Sequence, residues 1–282
     1  MSQARLMDGT ALARRIVEDA AAKAAGLTGR TGTAPCLATV LVGADPASVT
    51  YVRMQRNRCR KAGIESRHVA LPATTTTGEL VGRLRELSAD PGVHGILLQH
   101  PVGDHIDERT AFEAIAPEKD VDGVAFASFA TMSFGLPGFV SCTPGGILRL
   151  LDEYGVDPAG RRAVVVGRSA ILGRPVGMLL LARDATVTYC HSRTRDLSAA
   201  VREADIVVAA AGRPRLVKGQ DIKPGAVVID AGCNPGNVGD VDFDSAVERA
   251  SLITPVPGGV GPMTIATLLE QTVAAAARQL PA

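Results

Sequence analysis

Tyr51 and Gln55 stand four residues apart in "YVRMQRN", a spacing that brings two side chains onto one face of a helix. The stretch from Tyr51 to Ile64 has that amphipathic pattern, with the helix beginning near "DPAS". A tyrosine followed at this interval by lysine is a common catalytic pair. In this chain the fifth residue is Gln55. Glutamine donates and accepts hydrogen bonds but exchanges no proton near pH 7. The helix therefore carries either a modified site or no chemistry.

A second constellation is "AVVVGRSAILGRPVG", a strand, a glycine turn and a helix. Gly167, Ser169 and Gly173 form G-x-S-x-x-x-G in place of the usual G-x-G-x-x-G. Gly167 permits the tight turn, and the free N–H groups of a helix start suit a phosphate. The following strand, "ATVTYCHSRT", ends in Cys190, His191, Ser192 and Arg193 with no acid to hold ribose hydroxyls. With Arg168 also at hand, this lining favours the 2′-phosphate of NADP over NAD. The alternative is that these arginines are solvated surface residues.

These residues require an alternating scaffold, and the sequence supplies one. Apolar runs "CLATVLVG" (36–43), "SRHVALP" (66–72), "VHGILLQ" (93–99), "RAVVVG", "DIVVAAAG" and "AVVIDAG" read as strands. Between them lie helical patterns such as "GTALARRIVEDAAAKAA" and "GELVGRLRELSAD". Continuous apolar strands between helices imply an α/β fold with parallel sheets covered on both faces. The segment "APEKDVDGVAFASFATMSFGLPGFVSC" reads as loop, "CTPGGILRLLDEYG" as a helix capped by Thr143, and "TIATLLEQTVAAAARQL" as a last helix after the Gly/Pro loop "ITPVPGGVGP". The natural boundary falls near residue 140.

Bulk properties exclude several classes. The chain has 282 residues with a net charge of +1, so charge favours neither nucleic acid nor an anionic membrane. Its five cysteines are scattered without a CxxC, and no HExxH is present, which argues against a disulfide framework and a metal site. No apolar run approaches a membrane span. A cytoplasmic, metal-free protein is expected.

Eight ordered blocks are more specific: "VGADPASVTYV", "GILLQHP", "PEKDVDG", "CTPGG", "VVVGRSAILGRPV", "ATVTYCHSRT", "IKPGAVVIDAG" and "ITPVPGGVGPMT". On these blocks the chain resembles the bifunctional methylenetetrahydrofolate dehydrogenase/cyclohydrolase family over nearly its whole length. The resemblance implies a folate-binding catalytic domain (1–140 and 263–282) and a Rossmann-like NADP-binding domain (141–262), with a cleft between them. It also implies a homodimer. The family oxidises 5,10-methylenetetrahydrofolate with NADP and usually hydrolyses the methenyl product to 10-formyltetrahydrofolate.

By matching motif, Tyr51 would stack on the folate's aminobenzoyl group, Gln99 would hydrogen-bond near the reacting ring, and Asp122 would hold the pterin edge. Ser48, Leu98, His100 and the loop Pro257, Gly258, Gly259 and Val260 would complete the substrate site. Gly167, Arg168, Ser169, Ser192 and the backbone near Cys233 would bind NADP. Gln55 occupies the position of the family's catalytic lysine. Hydride transfer is mainly positioning, whereas hydrolysis must move protons. Dehydrogenase activity is therefore expected to persist and cyclohydrolase activity to be weak or lost. The alternatives are a fully bifunctional enzyme in which Gln55 and water suffice, and a non-catalytic folate- or NADP-binding paralogue. The apolar segment "VAFASFATMSFG" after Asp122 is a second departure, where the family carries a polar loop.

Overall fold

The computed structural model describes residues 3–281, with side chains throughout except at 46–51. In chain order the elements are β1 (Arg5–Leu6), α1 (Gly9–Thr31), β2 (Cys36–Val42), α2 (Pro46–Lys61), β3 (Glu65–Leu71), α3 (Thr77–Ala89), β4 (Gly95–Gln99), α4 (Glu108–Phe112), α5 (Phe126–Ser133) and α6 (Cys142–Glu153). Then follow β5 (Arg162–Val166), α7 (Gly173–Leu181), β6 (Thr186–Cys190), α8 (Leu197–Arg202), β7 (Ile206–Ala209), β8 (Val227–Asp230), α9 (Phe243–Ala246), β9 (Leu252–Ile253) and α10 (Val260–Gln279).

Two compact units result. One contains Met1–Arg14, Met132–Pro137 and Ser141–Thr264; the other contains Arg15–Thr131, Gly138–Val140 and Ile265–Ala282. The first is built on a parallel sheet of order β1-β9-β8-β7-β5-β6, a Rossmann-like arrangement. Its core is aliphatic: Val164, Val166, Val207, Val228 and Ile253 are all buried. The second has a parallel sheet of order β3-β2-β4. Every residue of its central strand β2 is buried, as a strand covered on both faces requires.

The last helix is anchored in the second unit. Gln271 donates from Nε2 to the carbonyls of Val121 (2.8 Å) and Val140 (2.9 Å) and accepts from the Val140 amide at 3.2 Å. Gln279 donates to the His94 carbonyl at 2.8 Å.

Three local expectations need correction. The stretch after Asp122 is not all loop, because residues 126–133 form α5. Helix α6 starts at Cys142 with Ser141 at its cap, so Thr143 lies inside the first turn and its hydroxyl meets that of Thr264 at 2.9 Å. Pro144 is tolerated there because the first-turn N–H groups have no intrahelical partner. Helix α10 begins at Val260, which makes the end of the "PGGV" loop its first turn.

Candidate functional site

Two residues of the folate-type motifs, Gln55 and Gln99, lie on the smaller sheet and the helix over it, Gln99 at the carboxyl end of β4. Helix α2 lies over β2, and Gln55 is fully buried against it. The hydroxyl of Thr39, in the middle of β2, donates to Gln55 Oε1 at 3.5 Å, while Gln55 Nε2 is buried without a partner among the described residues. Register places Gln99 near this pair. Thr39 sits beside Leu97 and Leu41 beside Gln99, so these four side chains share one sheet face. Gln99 is thus one strand over and two residues on from Thr39, on the order of 8 Å away. Its own amide donates to the His100 carbonyl at 3.2 Å. Leu98 points to the other face and is buried. His100 follows the strand, half-buried, and burial pulls its pKa below the ordinary histidine value, with Glu108 opposing.

Tyr51 and Ser48 belong to the helical backbone of α2, but their side chains lie outside the described residues.

Asp120 is fully buried and accepts from the amides of Val124 (3.2 Å) and Ala125 (2.9 Å) and from Ser128 Oγ (2.6 Å). It therefore builds the turn into α5. Asp122 is half-buried. Sequence reasoning did not single out Asp120, since its partners lie four to eight residues on and carry no local cap pattern.

The nucleotide turn is in the other unit. Gly167 has φ 138°, and a Cβ there would stand 2.1 Å from the Ala210 carbonyl oxygen. A Cβ on Gly173 would meet the Gly167 carbonyl at 2.6 Å. Only glycine fits either place, and the result is a backbone cradle at the carboxyl ends of β5 and β7. Ser169 Oγ accepts from the amides of Leu172 and Gly173, both at 3.2 Å, which leaves its O–H as a donor. Arg168 and Ser192 are exposed beside this turn, and the Gly167 amide donates to the Cys190 carbonyl at 2.9 Å, joining the loops after β5 and β6. The exposed Cys233 follows β8. This cradle and its donors fit a dinucleotide phosphate.

Two buried aspartates, absent from the sequence-based site, shape the same edge. Asp230 accepts from the amides of Gly232, Asp240 and Val241, each at 2.9 Å. Burial nevertheless pushes its pKa up, and the Asp240 carboxylate adds to that. Asp240 in turn accepts from the amides of Ala211 (2.6 Å) and Gly212 (2.8 Å) and from Asn234 Nδ2 (2.9 Å). The signal for Asp230 was an aspartate ending an apolar strand, which reads equally as a turn residue, and Asp240 in its loop gave none.

The "PGGV" residues lie in this unit too. The Gly258 carbonyl accepts from the amides of Gly9 (2.9 Å) and Thr10 (3.1 Å), and Gly9 has no room for a side chain beside Gly259. Pro257 is exposed, Gly258 half-buried, and Gly259 and Val260 buried. Among the described residues no cluster of side chains is arranged to hold a metal, and no helix is long and apolar enough to cross a membrane.

Comparison with known proteins covers both units. The family model for the tetrahydrofolate dehydrogenase/cyclohydrolase catalytic domain matches residues 7–122, and that for the NAD(P)-binding domain of the same family matches 141–280. A relative from Streptomyces avermitilis, bifunctional protein FolD 1, is 80% identical over 98% of this chain and 96% of its own length. The crystal structure of the bifunctional enzyme FolD from Campylobacter jejuni is 43% identical with a TM-score of 0.95, covering 98% of this chain and 99% of that one. The methylenetetrahydrofolate dehydrogenase-cyclohydrolase of Trypanosoma brucei, solved with NADP cofactor and inhibitor, is 40% identical with a TM-score of 0.95, covering 99% of each chain.

Proposed function

The chain belongs to the tetrahydrofolate dehydrogenase/cyclohydrolase family, and from that premise we propose that it oxidises 5,10-methylenetetrahydrofolate with NADP and hydrolyses the methenyl product weakly. The observation that carries the second half is Gln55: fully buried, neutral, and set against Thr39 where the family's lysine would stand. Residues 1–140 and 263–282 are assigned to folate and 141–262 to NADP.

Tyr51 stacks on the aminobenzoyl group. Asp122 holds the amino and N–H edge of the pterin, and Gln99 fixes the reacting ring beside the backbone of Leu98 and His100. Ser48 and the Pro257–Val260 loop complete the substrate's surroundings. The cradle of Gly167, Arg168, Ser169, Ser192 and the Cys233 backbone holds the dinucleotide, which accepts the hydride. Arg168 and Ser192 favour the 2′-phosphate, since no acid ends β6.

Oxidation needs the methylene carbon held against the acceptor, which is a matter of orientation. Hydrolysis adds water to the methenyl carbon, moves protons and opens the ring. Loss of one acid–base group typically costs about 10²–10⁴-fold.

The enzyme is cytoplasmic, in keeping with five free thiols, and a homodimer. The dimer is supported by β6, an unpaired sheet edge, and by Leu181 at the end of α7, which is 53% exposed.

A second reading, full bifunctionality with Gln55 orienting a water, is favoured by the name borne by the 80% identical Streptomyces relative. One assay separates them. NADP reduction with methylenetetrahydrofolate is followed first, then the decay of methenyl absorbance. Reduction with persistent methenyl absorbance is expected. Hydrolysis as fast as oxidation refutes the proposal, and no NADP reduction at all points to a non-catalytic paralogue.

A further inference from the structure

The polar pair in the core of the smaller sheet has a consequence for substrate recognition. Strand β2 reads Cys-Leu-Ala-Thr-Val-Leu-Val and is buried throughout, so Thr39 places the strand's one hydroxyl in an apolar layer. Such a group is costly unless it is hydrogen-bonded. Its partner is Gln55 Oε1 at 3.5 Å, and Gln55 is itself 0% exposed. In this arrangement the hydroxyl faces the oxygen end of the amide. The opposite end, Nε2, is left buried with no acceptor among the described residues. A buried N–H donor without a partner is rare in a folded protein. Here it lies one helical turn after Tyr51, on the sheet face shared by Gln99.

We infer that Thr39 is a positioning residue: it orients the Gln55 amide so that Nε2–H donates to an acceptor atom of the bound folate. The inference rests on the proposed function, which puts folate at this helix. It goes further by giving the amide a direction. An N–H presents the positive end of the amide dipole to the ligand. That end suits the neutral methylene substrate better than the cationic methenyl product, which agrees with weak hydrolysis.

The test compares Thr39→Val, Thr39→Ser and wild type. Valine keeps the shape and removes the donor; serine restores it. Loss of one oriented hydrogen bond is expected to raise the KM for methylenetetrahydrofolate roughly 2- to 10-fold. The dissociation constant of tetrahydrofolate, measured by calorimetry, should weaken by the same factor. The KM for NADP should not move, and serine should recover most of the loss. A merely structural role would weaken both substrates together, whatever the melting temperature, and that result overturns the inference. So does an unchanged folate constant in Thr39→Val. Because calorimetry needs no turnover, the Thr39 result stands whatever the rate of methenyl hydrolysis. Fast hydrolysis by the wild type would sink the proposed function alone.

Discussion

Restoring an amine at position 55 puts the division between the two reactions to its most direct test. In Gln55→Lys the new side chain enters a fully buried place whose described polar neighbour is the Thr39 hydroxyl. Desolvation disfavours the ammonium, and a cationic methenyl substrate disfavours it further, so the lysine pKa falls toward neutrality. If it reaches pH 7, the cost to the fold is about 4–5 kcal/mol, the free energy of deprotonating an amine of ordinary pKa near 10.4. That is a large part of the stability of a typical domain, so a lower melting temperature is expected. The gain is an acid–base group beside the methenyl carbon, worth about 10²–10⁴-fold, or about 3–5 kcal/mol of barrier. The assay follows methenyl absorbance at a temperature where circular dichroism shows the variant folded, with NADP reduction measured in parallel. Hydrolysis should rise by at least about 100-fold, while the oxidation rate changes far less. A folded variant that still oxidises the substrate yet hydrolyses no faster than wild type would refute the reasoning.

Three further perturbations separate the parts of the molecule. Gly167→Ala drives a Cβ to within 2.1 Å of the Ala210 carbonyl oxygen at a φ of 138°, so the KM for NADP should rise at least tenfold or the larger unit should lose stability, while tetrahydrofolate affinity by calorimetry holds; normal NADP kinetics would mean the cradle is not the phosphate site. Asp120→Ala leaves the Val124 and Ala125 amides without their acceptor and should cost about 1–3 kcal/mol per buried donor in urea unfolding; Asp122→Ala should abolish folate turnover in a protein that still folds, and a folded variant with normal turnover would remove the role proposed for Asp122. His94 is buried, its Nδ1 accepts from the Cys36 amide at 3.0 Å, and burial, then the Lys119 ammonium, lower its pKa. As pH drops below the unfolded value near 6.5 the denatured chain takes up a proton that the native ring resists, so stability falls. His94→Gln should flatten the urea midpoint between about pH 7 and 5, and an unaltered slope would show that His94 does not titrate this way.

The α/β alternation was legible because its strands are long apolar runs: β2, β5, β7 and β8 lie inside the stretches read as buried strands. Elements set by distant contacts were not. Strands β1 and β9 have two residues each, too few to show a period, and exist because they pair with one another at the edge of the larger sheet. Helix α5 is held by Asp120, six residues before its start, and its aromatic sequence between glycines gives no helical stripe. The cap of α6 was misplaced because "SCT" offers two hydroxyls, and the chain used the earlier one as the cap position while Thr143 turned to Thr264.

The family's motifs were legible in the sequence, but the pairing of Thr39 with Gln55 was visible only in three dimensions. Threonine in a strand reads as ordinary β propensity, and glutamine on a helix as ordinary helix propensity. Neither raises a flag alone. Folded together they break a rule, since two polar side chains occupy an apolar layer and leave one N–H unmatched. Packing alone would have favoured valine and leucine there, with no orphaned donor. Breaches of local consistency with no compensating contact inside the protein concentrate where a ligand completes the set. The missing acceptor of Gln55 is therefore best sought in the folate proposed to bind here, and replacing Thr39 by valine, which strips the buried Gln55 Oε1 of its described donor, should impair recognition and also cost the fold about 1–3 kcal/mol.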